Sequence, residues 1–171
     1  MINIRKNVFE TNSSSVHAIC ISKDKELEIP KELTFCFDDY GWQDNFLTTP
    51  IQLASYLYTA IYNLYFDDKD KLNDFKNYIY DTLGKHGCDC TFEEPKNERY
   101  GIDYGYIDHL GELVPLIESL RKSEKKLLRF LFSPDSFIVT GNDNSDTFYD
   151  WLDEFEDSKE KKKVDTYVKG N

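Results

Sequence analysis

Three groups of residues in this chain have the types and spacing to do chemistry. The first is a run of six polar residues, Glu10-Thr11-Asn12-Ser13-Ser14-Ser15, with His17 two positions beyond it. Connections between strands normally draw on Gly, Asn or Asp, which tolerate positive φ. Three serines in a row offer hydroxyl and N–H donors instead, a set that can hold a phosphate, and a serine such as Ser14 beside the His17 imidazole would be an activated nucleophile. Such a pair works by placement in space, which this spacing does not establish. The plainer alternative is a Ser/Thr turn satisfying its own backbone, with His17 in the core. The second group is Asp108-His109. It reads as a proton shuttle or ligand pair, or as a helix N-cap and its first-turn neighbour. The third is Gly141-Asn142-Asp143-Asn144 behind a strand that looks buried. Sheets carry ligand-binding loops at that position, and ordinary tight turns fall there too.

The charge distribution supplies a different kind of candidate. The chain has 171 residues, 21 basic and 32 acidic, for a net charge of −11. Seven carboxylates (Asp143, Asp146, Asp150, Asp153, Glu154, Glu156 and Asp157) fall between 143 and 157 with no Lys or Arg among them. An array of carboxylates competes for a basic nucleic-acid groove as a DNA mimic would, whereas most charged helix faces are simply solvated. The acidic balance argues against holding duplex DNA or an anionic membrane by bulk charge, since both need a positive face. The expected macromolecular partner is a basic protein surface. His86-Gly87-Cys88-Asp89-Cys90 is half of a zinc-like arrangement, but its spacing is tighter than the usual C-x2-C and a matching second half is missing. No metal and no cofactor are expected. With Cys20 and Cys36 in core-like strands, the four cysteines suit a reduced compartment.

The elements that must position these groups follow from periodicity. Residues 16–21 are largely apolar on both alternating sets, the pattern of a strand covered on two faces. Leu33, Phe35 and Phe37 alternate as a second strand. Thr48 or Thr49 caps a helix with Pro50 in its first turn and Leu53, Leu57, Ile61 and Leu64 on one face. A second helix carries Leu72, Phe75, Ile79 and Leu83, with Gly84 as its stop. Residues 84–107 are punctuated by glycine and proline and read as loop with short strand pieces. A helix begins near Pro115, and Ser123 caps the next. Residues 136–140 form a buried strand. Ser145 or Asp146 caps a last helix with the stripe Phe148, Trp151, Leu152 and Phe155. Residues 159–171 are an edge strand or a flexible tail.

The whole is expected to be one domain over 1–171, of α+β (or α/β) class: a small sheet of the N-terminal strands and the 136–140 strand, packed with about five helices. That length suffices to bury roughly 70% of the surface of the unfolded chain. The 26 aromatic residues exclude wholesale disorder. No apolar run approaches the ~20 residues needed to cross a bilayer, and Met1-Ile-Asn-Ile-Arg-Lys6 lacks the apolar block of a secretion signal, so the expected location is the cytoplasm of a bacterial host.

Three stretches together carry a resemblance: Arg5 to His17 (RKNVFETNSSSVH), Tyr106-Ile-Asp-His109, and Phe132 to Asn144 (FSPDSFIVTGNDN). They resemble a group of small proteins of phages, plasmids and low-GC Firmicutes whose N-terminal signature looks like FETNSSSxH. The excess of lysine over arginine, 17 to 4, fits such a source. The resemblance implies no catalytic role. It does imply that the polar motifs share a site: Thr11, Asn12, Ser13, Ser14, Ser15, His17, Asp108, His109, Asn142 and Asp143, converging, would make a pocket for a nucleotide or phosphate. Carriage by mobile elements implies a protein that blocks a host defence, as anti-CRISPR proteins do. Two expectations therefore stand. The first is an acidic accessory protein that inhibits a basic nucleic-acid-handling host enzyme such as a CRISPR nuclease. It would act by binding rather than by catalysis, through Asp146, Asp150, Asp153, Glu154, Glu156 and Asp157. The second is a small enzyme or nucleotide-binding module built on the Ser13–His17 loop.

Overall fold

All eight residues of the first strand, β1 (Ser15–Ser22), are buried, because helices cover both of its faces. Ile19 and Ile21 pack into a large core with the middle helices, while Val16, Ala18 and Cys20 pack on the opposite side against the last one. The structure is a computed structural model that describes residues 15–40, 43–94, 96–98, 101–103, 106–107, 110–143 and 146–169.

The remaining elements are β2 (Glu32–Phe35), β3 (Asn45–Leu47), α1 (Pro50–Leu64), α2 (Lys69–Lys85), β4 (Asp89–Phe92), β5 (Lys96–Glu98), β6 (Gly101–Asp103), α3 (Val114–Arg121), α4 (Glu124–Phe132), β7 (Phe137–Asn142), α5 (Asp146–Glu156) and β8 (Val164–Lys169). A 3₁₀ turn over Leu110–Leu113 leads into α3, and another over Glu160–Lys163 leads into β8. The fold is α+β. Its main sheet is antiparallel throughout, in the order β3-β7-β1-β8.

Local chemistry sets the helix starts. Thr49 caps α1 in a reciprocal capping box with Gln52, and Pro50 occupies a first-turn position that needs no N–H donor. Asp68 caps α2 and Ser123 caps α4 by accepting from backbone N–H groups three residues on. Leu53, Leu57 and Ile61 of α1, Leu72, Phe75, Ile79 and Leu83 of α2, and Leu127, Leu128 and Leu131 of α4 then fill one continuous core.

Three details depart from the sequence reading. Gly84 lies inside α2, and the residue that turns the chain is Gly87, whose φ of 75° favours glycine. The Leu33–Phe35 strand does not join the main sheet; as β2 it pairs in parallel with β4, each beside α1 or α2 respectively. The strand expected over 136–140 runs on as β7 through Gly141 and Asn142, because both pair with β1.

Candidate functional site

The register of the main sheet places four polar residues in one transverse row. Asn45 on β3 lies opposite Thr140 on β7, Thr140 opposite His17 on β1, and His17 opposite Lys169 on β8. Strand alternation turns this row toward the α1–α4 layer, the side of Ile19 and Ile138. One rank further out, Ser15 faces Asn142. Thr140, His17, Lys169 and Ser15 are all buried. Burying so many polar groups is unfavourable unless they are hydrogen-bonded. His17 Nδ1 lies 2.7 Å from the Tyr56 hydroxyl of α1. The Lys169 ammonium donates to the backbone carbonyl of Ser15 and, at 3.2 Å, to its hydroxyl. Thr140 donates to the Gln43 carbonyl at 2.8 Å and accepts from the Asn45 N–H at 3.2 Å, tying the edge strand down. Burial holds the Tyr56 phenol well above its ordinary pKa, and the neighbouring Tyr40 adds to the shift, so Tyr56 serves as a neutral partner to the imidazole.

Of the polar candidates read from sequence, Ser15, His17, Asn142 and Asp143 fall at this end of the sheet. Thr11, Asn12, Ser13, Ser14, Asp108 and His109 lie outside the described residues. Ser15 and His17 share a face two residues apart, but the Ser15 hydroxyl takes Lys169 and the imidazole takes Tyr56. They do not form a nucleophile–base pair. The cation of this cluster, Lys169, was not legible in the sequence: it sits in a segment whose alternation is equally that of an exposed edge. Tyr56 was hidden as one aromatic among twelve tyrosines.

The acidic candidates make a second, separate surface. α5 lies on the other face of the sheet, seated through Phe148 and Phe155 on Val16, Ala18, Cys20 and Val139. Helical spacing puts Asp146, Asp150, Asp153 and Asp157 in one stripe on the side away from that seat, with Glu154 beside it, and all five are exposed. Among the described residues only Glu156 of these carboxylates has an ion-pair partner, Lys161, which the 3₁₀ turn folds back onto it. Lys161 thus neutralises Glu156 and leaves the stripe uncompensated. Beyond Asp146, whose first-turn position suits the positive end of the helix dipole, such a stripe does nothing for the helix. Asp146/Asp150, Asp150/Asp153, Asp150/Glu154 and Asp153/Asp157 are like-charged pairs one turn apart, each destabilising by about 0.2–0.5 kcal/mol. Glu154 and Glu156 also sit at the negative end of the helix dipole, where α5 has no basic residue.

The zinc-like motif goes elsewhere. His86 Nε2 contacts Glu124 at 3.0 Å, which lowers the Glu124 pKa, and Cys88 and Cys90 are buried thiols. Burial pushes Cys90 up to about 11, with Cys88 and Asp89 adding to it, so it is no ready thiolate ligand. Among the described residues no group of three or more His, Cys, Asp or Glu is placed to hold a metal ion, and no helix is long and apolar enough to cross a membrane. No family model, curated protein or solved structure matches this chain.

Proposed function

We propose that this chain is an acidic binding protein that occupies the basic groove of a nucleic-acid-handling host enzyme, the outer face of α5 standing in for a row of phosphates. A CRISPR nuclease is the example that the resemblance to mobile-element proteins suggests. The observation that carries this reading is the stripe Asp146, Asp150, Asp153 and Asp157, exposed and without ion pairs among the described residues. Beyond Asp146, which suits the first turn, its charges are unfavourable to the helix that bears them, so a role in folding does not account for Asp150, Asp153 and Asp157. A basic groove would draw such a face in at long range and lose its grip as salt shortens the screening length to about 10 Å at 0.1 M. The test is retention of proteins from a bacterial host extract at low salt. Wild-type protein should retain nucleic-acid-handling proteins that duplex DNA or heparin displaces. The triple variant Asp150→Lys, Asp153→Lys, Glu154→Lys should retain none. Equal retention by the triple variant would refute the proposal.

The buried row at the other face supports a second reading, a site for a nucleotide or phosphate beside Ser15. Its specific support is the Lys169 cation held against Ser15 at the base of the serine-rich segment. Nucleotides or inorganic phosphate should then raise the melting temperature of wild-type protein but not of Lys169→Met; no shift for wild type counts against it.

A further inference from the structure

Beside the acidic stripe, on the sheet face that seats α5, lies a groove of about 320 Å³ walled by aromatic rings. Phe46 on the edge strand β3 and Phe137 on β7 are 5.0 Å apart, and Phe137 meets Trp151 and Phe155 of α5 edge-on. Trp151 and Phe155 are stacked at 5.1 Å. Phe46 is 57% exposed. The polar rim holds Asp135 and Glu160 against one cation, Lys163. None of these three has an ion-pair partner among the described residues. By helical spacing Glu154, three residues on from Trp151, lies between Trp151 and the stripe, so the groove borders the acidic face.

We infer that this groove takes an arginine side chain from a basic segment of the partner protein. This rests on the acidic-binding reading and names the anchor that goes with it. Aromatic walls alone would accept any apolar residue; the two rim carboxylates and the neighbouring stripe select a cation. Among cations, the guanidinium is planar, stacks on ring faces and can bond a carboxylate through two N–H groups at once, whereas an ammonium is more strongly hydrated. Lys163 repels the charge from its own end and directs it toward Asp135 and Glu160. The stripe would supply long-range attraction, and the groove would supply a desolvated contact of the kind that dominates binding energy.

The experiment is a fluorescence titration in a Trp42→Phe background, where Trp151 is the only indole. The probe is an unstructured peptide of arginine, glycine and serine, with its citrulline analogue as the uncharged isostere. The arginine peptide should bind and shift the Trp151 emission. The citrulline peptide should bind at least tenfold more weakly. Phe46→Ala, which removes an exposed ring, and Asp135→Asn, which keeps the shape, should each weaken the arginine peptide about threefold to tenfold. The triple charge reversal on α5 runs in the same titration. If it abolishes binding while Phe46→Ala and Asp135→Asn change nothing and the emission stays constant, the groove inference is overturned and the acidic face stands alone. If the groove variants weaken binding and the charge reversal does not, the groove stands and the α5 reading falls. Absence of any binding to wild-type protein also overturns the groove.

Discussion

Replacing Gly141 with alanine puts a methyl group between the sheet and α5. Gly141 is buried in β7 opposite Val16, on the face that seats the helix. A Cβ there would stand 2.9 Å from Phe148 Cβ and 2.9 Å from Asp44 Oδ1, with Phe148 Cδ2 at 3.4 Å. The Asp44 carboxylate ends an exposed side chain and swings away at little cost. Phe148 Cβ is one bond from the helix backbone and its ring is buried, so α5 itself must retreat by roughly 0.5–1 Å to restore ordinary carbon contact. Overpacking of this kind costs about 1–3 kcal/mol. In a chain of this size each kcal/mol lowers the melting temperature by about 2–4 °C. Urea unfolding followed by circular dichroism should therefore show a lower midpoint with an unchanged slope. Gly84→Ala is the control. It sits in α2 with nothing within 4 Å of the added Cβ, so it should stabilise by about 0.5–1 kcal/mol. Gly141→Ala within about 0.5 kcal/mol of wild type, with Gly84→Ala behaving as stated, would refute the seating of α5 on β7. Because Trp151 and Phe155 ride on the same helix, the shift should also loosen the aromatic groove.

Two further outcomes follow from charge. Burial raises the phenols of Tyr40, Tyr56 and Tyr58 well above 10.0, and that of Tyr65 to about 12, where Glu118 adds to the effect. A group whose folded pKa is raised stabilises fully below its unfolded pKa and less as pH climbs toward the folded value. Stability should be insensitive to these tyrosines at neutral pH and fall from about pH 10 upward. Tyrosinate absorbance should rise together with unfolding, and normal titration of all twelve tyrosines in the folded state would contradict the burial. Second, Asp150→Asn with Asp153→Asn removes all four like-charged pairs of the stripe and should stabilise the protein by about 1–2 kcal/mol at low salt, with the gain shrinking in 1 M salt. Urea midpoints at the two salt levels measure this, and no gain at low salt would mean the stripe is already neutralised.

Much of the local structure was legible because it rests on neighbours in sequence. Thr49 with Gln52, and Ser123 with the N–H of Lys126, are contacts over three residues. The apolar stripes of α1, α2 and α5 repeat at the helical period, and the two-sided apolar pattern of β1 announced a strand covered on both faces. The acidic stripe was legible for the same reason: a fixed spacing on a helix fixes a face. Gly84 misled because a glycine near a helix end marks the stop only where φ is positive, and that belongs to Gly87.

Pairing across long separations was decided by the tertiary structure. Leu33 sits beside Cys90 rather than in the main sheet, and Asn45, Thr140, His17 and Lys169 share a row although they run from position 17 to position 169 of the chain. A strand's alternation says which residues share a face. It does not say which strand lies alongside or in what register, and a slip of one residue would turn His17 to the other side. The same holds for the aromatic groove, which needs β3, β7 and α5 brought together, and for Lys161, which reaches Glu156 only because the chain turns back after α5. The sequence by itself thus determined the composition of each surface, while the packing of the sheet decided which polar residues are buried together and which carboxylates remain facing water.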